Sequence, residues 1–425
     1  MGSRLIPPAG PARRLAAAQL TNAVGDGAFL VCSALYFSRV VGLSAPRIGF
    51  GLTLGWAVGA LAGVPLGHLA DRRGPRGVAA LLAVATAGAV GVFLTARSYP
   101  VFLAAAVLYG CAQCGLAAAR QALLAALVPP AERTTARAHL QSTVNAGLAV
   151  GAALGGVALH FDTRAAYLTV LAVDALSFLG SAVLLRRLPA APPAPAAAGA
   201  GPRLAVLRDR PYALVAPVNS VLLLYMPLLS LILPLWTVQR TAAPGWTAAA
   251  LLVLNTVSVV LFQVRVAGRV DGLRTAARSV RFAGLVLAAS CAGFALSASG
   301  SAPWAAAGVL LVSAALQVGG EMLLAAGSWE IGFGLAPADQ QGQYQGFFGS
   351  GVAVARTVGP LLLTWLIIGW GAPGWLVLGG VFALAGAAMG PAVRWAERSR
   401  TALAPGHPVA GTAAGSRLGE PHISG

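Results

Sequence analysis

The stretch Gly67-His68-Leu69-Ala70-Asp71-Arg72-Arg73-Gly74-Pro75-Arg76 separates two apolar runs that are each long enough to cross a lipid bilayer as a helix. It combines charged residues with two glycines and a proline, whereas the flanking runs are almost free of charge. This composition is typical of a short polar turn at a membrane surface. The stretch therefore predicts a connection between two membrane-spanning helices.

Alternation of apolar runs and short polar connections extends over almost the whole chain of 425 residues. Apolar residues make up 57% of the chain and charged residues only 10%, with a mean hydropathy of +0.77. A soluble chain of this length would need more charge on its surface. Runs of about twenty apolar residues, enough to cross roughly 30 Å of hydrocarbon, predict twelve spans: 15–40, 46–69, 76–97, 100–127, 137–160, 165–187, 211–239, 245–267, 280–299, 303–332, 342–369 and 372–395. The predicted fold class is an all-α polytopic membrane protein.

The 29 basic residues are all arginine, and their positions follow the predicted spans. If the N-terminus is cytosolic and arginines at the span ends are counted with the adjoining side, two arginines fall within spans and the outer side carries only Arg39, Arg47, Arg97, Arg164 and Arg240. This asymmetry is the one that the positive-inside rule describes. It predicts an integral, multi-pass protein of the cell membrane with both termini cytosolic. It also accounts for the net charge of +17 without a nucleic-acid partner.

A tract rich in alanine, proline and glycine divides the predicted spans into six and six. Residues 188–210 have the composition of a flexible cytosolic linker, between one six-helix half at 15–187 and another at 211–395. The segments 1–14 and 396–425 are predicted to be cytosolic, and the second of them to be disordered. Two such pseudo-symmetric halves around a site at mid-membrane are a recurring plan of secondary transporters.

With this plan and its charged turn, the chain resembles the major facilitator superfamily over residues 15–395. Five residues meet the family pattern G-x-x-x-D-R-x-G-[RK]-[RK] after the second span: Gly67, Asp71, Arg72, Gly74 and Arg76. Pro75 replaces the first of the two final basic residues. The corresponding segment after the eighth span keeps an aspartate, Asp271, but has lost the glycine spacing.

The resemblance implies that the turn after the second span is a cytosolic latch. In the family, the aspartate lies near the N-terminal end of the eleventh span, where free N–H groups and the helix dipole favour an anion. Asp71 would accordingly face residues 342–343. Arg72 and Arg76 would supply ionic partners, and Gly67 would let the second and eleventh spans approach each other.

The predicted fifth span carries glycines about one helical turn apart: Gly147, Gly151, Gly155 and Gly156. Small residues at this spacing allow helices to pack closely and to slide. Residues 151–156 also resemble the G-P-x-x-G-G motif of drug:proton antiporters in the superfamily, with Ala152 in place of the proline. The segments 120–130 and 174–178 resemble members of the macrolide-efflux type. Both resemblances imply export.

Apart from the arginines at the span ends, six ionisable residues fall inside the predicted spans: Asp26, Arg120, Asp174, Glu321, Glu330 and Arg356. A charge at the centre of a spanning helix costs roughly 2.5–3.5 kcal/mol, so these side chains are expected to face the bundle interior or one another. Asn22 lies one helical turn from Asp26 and can hydrogen-bond to it. A carboxylate that exchanges its charge for a proton is what proton coupling requires. We therefore predict that Asp26, Asn22 and Glu321 bind the proton or the cargo; a static ion pair or cap is the alternative for Asp26.

The other four ionisable residues are predicted to form ion pairs within the membrane or to take part in gating. Asp174 is expected to pair with Arg120, and Glu330 with Arg356 or with a latch residue. Contact of Glu330 with the cargo, and contact of either arginine with an anionic cargo, are the alternatives.

The sequence contains no motif of the common enzyme classes, such as H-E-x-x-H, G-x-S-x-G or a nucleotide-binding loop. Its five histidines form no spaced cluster, and its four cysteines all lie in predicted spans, where they pack as small apolar residues. We therefore expect no catalytic residue, no metal and no cofactor, with H⁺ as the coupling ion. The partners expected are a small-molecule cargo and membrane lipid, and the chain is expected to be a monomer.

The function predicted from the sequence is secondary active transport by alternating access. Within that class, the resemblances favour proton-coupled efflux of a small amphipathic drug or metabolite, as in multidrug resistance. Uptake, or uncoupled carriage by the same fold, is the alternative. A membrane-embedded enzyme or receptor on the same scaffold is the rival from another class.

Overall fold

The structure is a computed structural model that describes residues 7, 10–190, 205–300 and 302–401. Twelve helices in it are long and apolar enough to cross a membrane, and we label them α1 to α12 in chain order: Pro11–Val40, Pro46–Arg73, Pro75–Thr95, Tyr99–Leu127, Pro130–Phe161, Arg164–Arg186, Arg210–Arg240, Trp246–Ala267, Leu273–Leu296, Pro303–Gly334, Gln341–Gly369 and Ala372–Arg400. No strand occurs among these described residues. The prediction of an all-α chain with twelve spans is confirmed.

Parts of the predicted linker and tail, and most of the segment 1–9, lie outside the described residues. The described part of the linker, residues 205–209, contains the 3₁₀ turn Ala205–Leu207. Asp209 then caps α7, because its side chain accepts a hydrogen bond from the N–H of Tyr212 at 3.1 Å.

The connection predicted at residues 67–76 is mostly helical, which corrects the sequence-based boundary. α2 continues to Arg73, and Gly74 alone separates it from Pro75 at the start of α3. Gly74 adopts a φ of 91°, a conformation that costs little for a residue without a Cβ. Proline at the next position then starts a helix readily, because its missing N–H would have no intrahelical partner there. Hydropathy locates only the part of the helix in hydrocarbon, so α5 and α9 also begin several residues before their predicted starts.

The twelve helices pack as two groups of six. In the first group, α1 packs against α5 and α6, while α4 packs against α2 and α3. The second group repeats this arrangement, with α7 against α12, α9 against α10 and α12, and α8 against α10. Each group has its own hydrophobic core, to which the other group adds a few residues, such as Val64 in the core of the second group and Phe333 in that of the first. The main contacts between the groups are those of α11 with α2 and α4, and of α5 with α8.

α7 is the least regular of the spanning helices. It contains a 3₁₀ turn at Leu223–Tyr225 and a π-helical turn at Leu228–Ile232, on either side of Pro227. Proline removes a backbone donor and clashes with the preceding turn, so it interrupts the α-helical hydrogen bonds. Further π-helical turns end α1 at Tyr36–Val40 and α11 at Thr364–Gly369.

We call the surface that carries Gly74, residues 187–190 and the capping residue Asp209 the loop face, and the other end of the bundle the opposite face. Among the described residues, the hydrogen bonds, cation–π pairs and shared hydrophobic clusters that join the two groups lie between mid-membrane and the loop face. The cluster near the opposite face of the first group contains residues of that group alone. The two groups therefore meet at the loop face and diverge towards the opposite face.

Candidate functional site

Asp26 occupies the middle of α1 and interacts with three neutral polar side chains. The Asn22 amide donates a hydrogen bond to one carboxyl oxygen at 3.0 Å, as the spacing of one helical turn predicts. From α4, the Gln113 amide and the Tyr109 hydroxyl reach the other oxygen at 3.3 and 3.4 Å. Gln113 and Tyr109 also bond to each other at 3.0 Å. The carboxyl group is thus surrounded by groups that can donate hydrogen bonds without carrying charge.

Glycines on both sides of Asp26 determine where its side chain lies. A Cβ at Gly27 would overlap the backbone of Leu148 in α5, and a Cβ at Gly25 would overlap Ser177 in α6. The backbone of α1 therefore packs directly against α5 on one side and against α6 on another. Asp26 is left on the remaining side, partly exposed and turned towards α4.

Arg120 is linked to Asp26 through Asn22. Its guanidinium donates to the Asn22 carbonyl oxygen at 2.7 Å and to the Ser181 hydroxyl at 2.9 Å, and only 9% of the side chain is exposed. Asn22 therefore accepts from a cation on one side and donates to a carboxyl group on the other. No hydrogen bond or ion pair joins Arg120 to Asp174 in the described part of the chain, so the expected pair is not formed.

Arg356 and Trp56 form a contact between the two groups of helices at mid-membrane. The guanidinium carbon of Arg356 in α11 lies 5.1 Å from the ring centroid of Trp56 in α2. The Trp56 ring in turn meets Tyr109 edge-on at a centroid distance of 6.3 Å. Arg356 is exposed and attracts the Asp26 carboxylate electrostatically. The expected pairing of Arg356 with Glu330 is not formed.

Glu330 contacts the first group of helices instead. The hydroxyl of Thr134 in α5 donates to its carboxylate, which joins α5 to α10 near the loop face. One turn further along α5, the guanidinium of Arg137 lies 5.2 Å from the ring centroid of Trp329. Glu330 therefore lies between the two groups, with a partner that the sequence did not indicate.

Glu321 lies near the middle of α10, within the second group. The amide of Asn255 in α8 donates to its carboxylate at 2.9 Å, and Tyr225 of α7 lies within electrostatic range. This site repeats the chemistry around Asp26, a partly exposed carboxyl group bonded to an amide. No arginine lies within ion-pair distance of Glu321 among the described residues.

The latch aspartate lies where the resemblance implies. Asp71 accepts hydrogen bonds from the N–H groups of Gly342 and Gln343 at 2.7 and 2.9 Å, at the first turn of α11. These N–H groups have no intrahelical acceptor, so an anion satisfies them and also interacts favourably with the helix dipole. A Cβ at Gly67 would overlap the backbone of Gly342, so this approach of α2 to α11 requires glycine.

The arginines of the latch do not serve as ionic partners of Asp71 in this conformation. Arg76 donates to the carbonyl oxygen of Leu188 at 3.0 Å, and Arg72 is exposed at the loop face. The Gln343 side chain instead completes the latch: it accepts the N–H of Val206 at 3.0 Å and contacts His68 at 3.2 Å. The described end of the linker is thereby attached to the first turn of α11.

Three of the four predicted packing glycines of α5 contact α1. A Cβ on Gly147, Gly151 or Gly155 would press on Ala23, Val24 or Ala28 respectively. The prediction is wrong for Gly156, where a Cβ would meet nothing within 4 Å. It follows Gly155 directly, so it points about 100° away around the helix.

Several site residues were not predicted from the sequence: Trp56, Tyr109, Gln113, Ser181 and Asn255. Each is a polar or aromatic residue in an apolar helix, which is the available signal. Gln113 and Tyr109 are also one helical turn apart on α4, so they share a face. Which face of α4 meets α1 depends on packing, because a helix that is apolar all round shows no preferred side.

Comparisons with known proteins agree with this architecture. The structure resembles that of the human organic anion transporter MFSD10 (TETRAN), with a TM-score of 0.65 and 18% identity over 89% of this chain and 99% of that one. It resembles an outward-facing bacterial homologue of the iron transporter ferroportin, with a TM-score of 0.68 and 15% identity over 91% and 99%. The E. coli fucose:proton symporter has a TM-score of 0.65 and 14% identity over 91% and 98%. Identities this low show a shared fold alone.

Comparison of the sequence with curated proteins finds no match. Comparison with protein-family models gives a more specific result. The family model described as the Major Facilitator Superfamily matches residues 15–330, which is most of the chain and extends from the start of α1 almost to the end of α10. The chain therefore belongs to the Major Facilitator Superfamily of membrane transporters.

Proposed function

We propose that this transporter is proton-coupled and that Asp26 is the group that exchanges the proton. The observation that carries the proposal is the environment of its carboxyl group: partly exposed at mid-membrane, bonded to Asn22, Tyr109 and Gln113, and not in an ion pair with any described residue. Neutral donors stabilise the ionised form, while a hydroxyl oxygen and amide oxygens can also accept a hydrogen bond from the O–H of the acid form. Both charge states are therefore accommodated, as a proton carrier requires.

The contacts at the loop face support alternating access for the transport cycle. The Asp71 bonds to α11 and the Thr134–Glu330 bond join the two groups at that face. Opening of the loop face requires these bonds to break while new contacts form at the opposite face. If the loop face is cytosolic, as the distribution of arginines predicts, this conformation is outward-facing.

The cargo is proposed to be a small amphipathic molecule that is exported. Aromatic surface from Trp56 and Tyr109 lies beside the polar groups of Asp26 and Arg356, so a ligand with an apolar body and one polar end fits this chemistry. In the proposed cycle, Asp26 binds a proton from the outer side and releases it inside, and cargo binding favours the ionised carboxylate. The fucose:proton symporter of the same fold supports proton coupling on this scaffold, with a different cargo.

The test begins with a panel of amphipathic fluorescent dyes in a bacterial host without its own exporters, with and without a proton uncoupler. A dye that accumulates less when the chain is expressed, and more again with the uncoupler, is then used in proteoliposomes with an imposed pH gradient. Asp26→Asn is expected to abolish flux driven by the gradient. Asp162→Asn, an exposed carboxyl group outside the spans, is the matched control and should leave the flux unchanged.

Each result separates the proposal from its alternatives. Flux in Asp26→Asn that still responds fully to the pH gradient would remove Asp26 as the proton site. Flux of the native protein that ignores the gradient would indicate an uncoupled carrier. Accumulation that increases on expression would indicate uptake.

A further inference from the structure

Asp174 is the most deeply buried carboxyl group in the described part of the chain. It lies on α6, its side chain is 0% exposed, and neither carboxyl oxygen has a hydrogen-bond partner among the described residues. The backbone carbonyl of Asp174 accepts from Ser177, but that hydroxyl does not reach the carboxyl group. The function proposed above makes no use of this residue.

The carboxyl group of Asp174 lies against α1 at the turn that carries Asp26. A Cβ at Gly25 would be 2.5 Å from one carboxyl oxygen of Asp174 and 2.9 Å from its Cα. The carboxyl group therefore occupies space that any other residue at position 25 would need. Asp26 follows directly in sequence, and the two carboxyl groups interact electrostatically around this single turn of α1.

The charged and titratable groups near this pair leave Asp174 without a counter-ion. Arg120 from α4 uses its guanidinium on Asn22 and Ser181. Arg356 from α11 and Tyr109 from α4 lie on the Asp26 side of α1. An ionised carboxylate that is fully buried without cation or donor is strongly disfavoured, and such groups keep their proton instead.

We propose that Asp174 is a second proton-binding site, which titrates together with Asp26. Two carboxyl groups that repel each other when both are ionised bind their protons as a pair rather than independently. The negative charge of ionised Asp26 favours the protonated form of Asp174, and protonation of Asp26 removes this effect. Release breaks the O–H bond at Asp174 and forms an O–H bond on a water molecule or hydroxide ion, so solvent is the only other reactant. The inference rests on the proposed function only in that Asp26 exchanges protons.

The test counts protons and requires no cargo. The purified full-length protein in lipid nanodiscs is taken from acidic to alkaline pH, and the protons released are measured with an indicator dye in weak buffer. Asp174→Asn keeps the shape of the side chain and is expected to release one proton fewer than the native protein. The titration of Asp26 should stay as in the native protein, because Asp174 still carries its proton while Asp26 ionises. Asp162→Asn gives the count for an exposed aspartate, and Ser177→Ala tests the packing around position 174 without removing a carboxyl group.

A second measurement keeps the inference testable if Asp174→Asn does not fold. At neutral pH, where exposed carboxyl groups are ionised, infrared spectroscopy of the double variant Asp26→Asn/Glu321→Gln should retain a carbonyl stretching band from a protonated carboxyl group. This band should disappear at alkaline pH. An unchanged proton count in folded Asp174→Asn, or no such band, would show that Asp174 never exchanges a proton. Transport without coupling, together with two titrating carboxyl groups, would instead contradict the proposed function and leave the paired titration in place.

Discussion

The two faces of the molecule differ in what their polar contacts connect. At the loop face, Asp71 bonds to the first turn of α11 and Thr134 bonds to Glu330, so each contact crosses between the six-helix groups. At the opposite face, Asp162 bonds to Arg39 and Tyr167 within the first group. Arg240 likewise bonds to the carbonyl of Ile368 within the second. We call the loop-face contacts between the groups (Asp71 with α11 and Thr134 with Glu330) the clamp, and the opposite-face contacts within single groups (Asp162 with Arg39 and Tyr167, and Arg240 with Ile368) the braces. An alternating-access transporter requires this asymmetry between its two faces in each end state.

The two six-helix groups do not contribute equally to the clamp, although α2 of the first group corresponds to α8 of the second. Asp71 follows α2, and its counterpart Asp271 follows α8, yet Asp271 is exposed and its backbone N–H bonds only to the nearby Thr275 hydroxyl. α5 and α8 meet through an apolar cluster that contains Ala138, Val264 and Ala267. One junction thus depends on a charge at a helix N-terminus, and the other mainly on apolar packing.

The largest expected effect comes from filling the closest approach between the groups. In Gly67→Val, the new side chain would overlap the backbone of Gly342, which cannot rotate away. Overpacking of this kind costs roughly 3 kcal/mol or more, so the closed loop face should lose more than about a hundredfold in relative population. Spin labels at Arg72 and Asp339, both exposed, would report the change as a longer distance across the loop face.

The matched control for this variant is Gly77→Val on the neighbouring helix α3. A Cβ at Gly77 would meet nothing within 4 Å, although the residue lies near the same face. The label distance should therefore stay at its native value in Gly77→Val. Equal behaviour of the two variants would contradict the role given to the α2–α11 contact.

A smaller effect is expected from Asp71→Asn, which tests the asymmetry within the clamp. The amide keeps one oxygen as an acceptor but loses the charge and the second acceptor. A hydrogen bond to a charged group contributes about 1.5–3 kcal/mol, so the closed population should decrease roughly thirtyfold. The same labels measure it. Asp271→Asn removes the counterpart charge and should change the distance little; a comparable change in both variants would mean that the clamp is two-sided after all.

The latch could be predicted from the sequence because it is local and its residue types are restrictive. The bond from Asn22 to Asp26 could also be predicted, since four residues along one helix place both on one face. The pairings of Arg120 and Glu330 could not. Arg120 reaches Asn22 and Ser181, and Glu330 reaches Thr134, on helices whose relative rotation the composition does not determine. In apolar helices without an amphipathic side, partners across helices depend on tertiary packing.

The smallest effect is expected at the opposite face, where Asp162 braces the first group. Hydrogen bonds from Tyr167 and Arg39 hold the pKa of Asp162 below its ordinary value. A carboxyl group whose folded-state pKa is lowered stabilises the fold above its unfolded-state pKa, and this contribution disappears as the pH falls through the lower, folded-state value. The side chain is 47% exposed, so solvent screens the interaction and the effect on the melting temperature should be small.

Asp162→Asn should therefore melt slightly below the native protein at neutral pH, and the difference should vanish in acid. Because the brace lies within one group, the label distance across the loop face should not change. A shift of that distance in Asp162→Asn would show that the opposite face also sets the balance between conformations. The brace at Asp162 and the clamp would then not be independent, because a contact within one group would affect the contacts between the two groups.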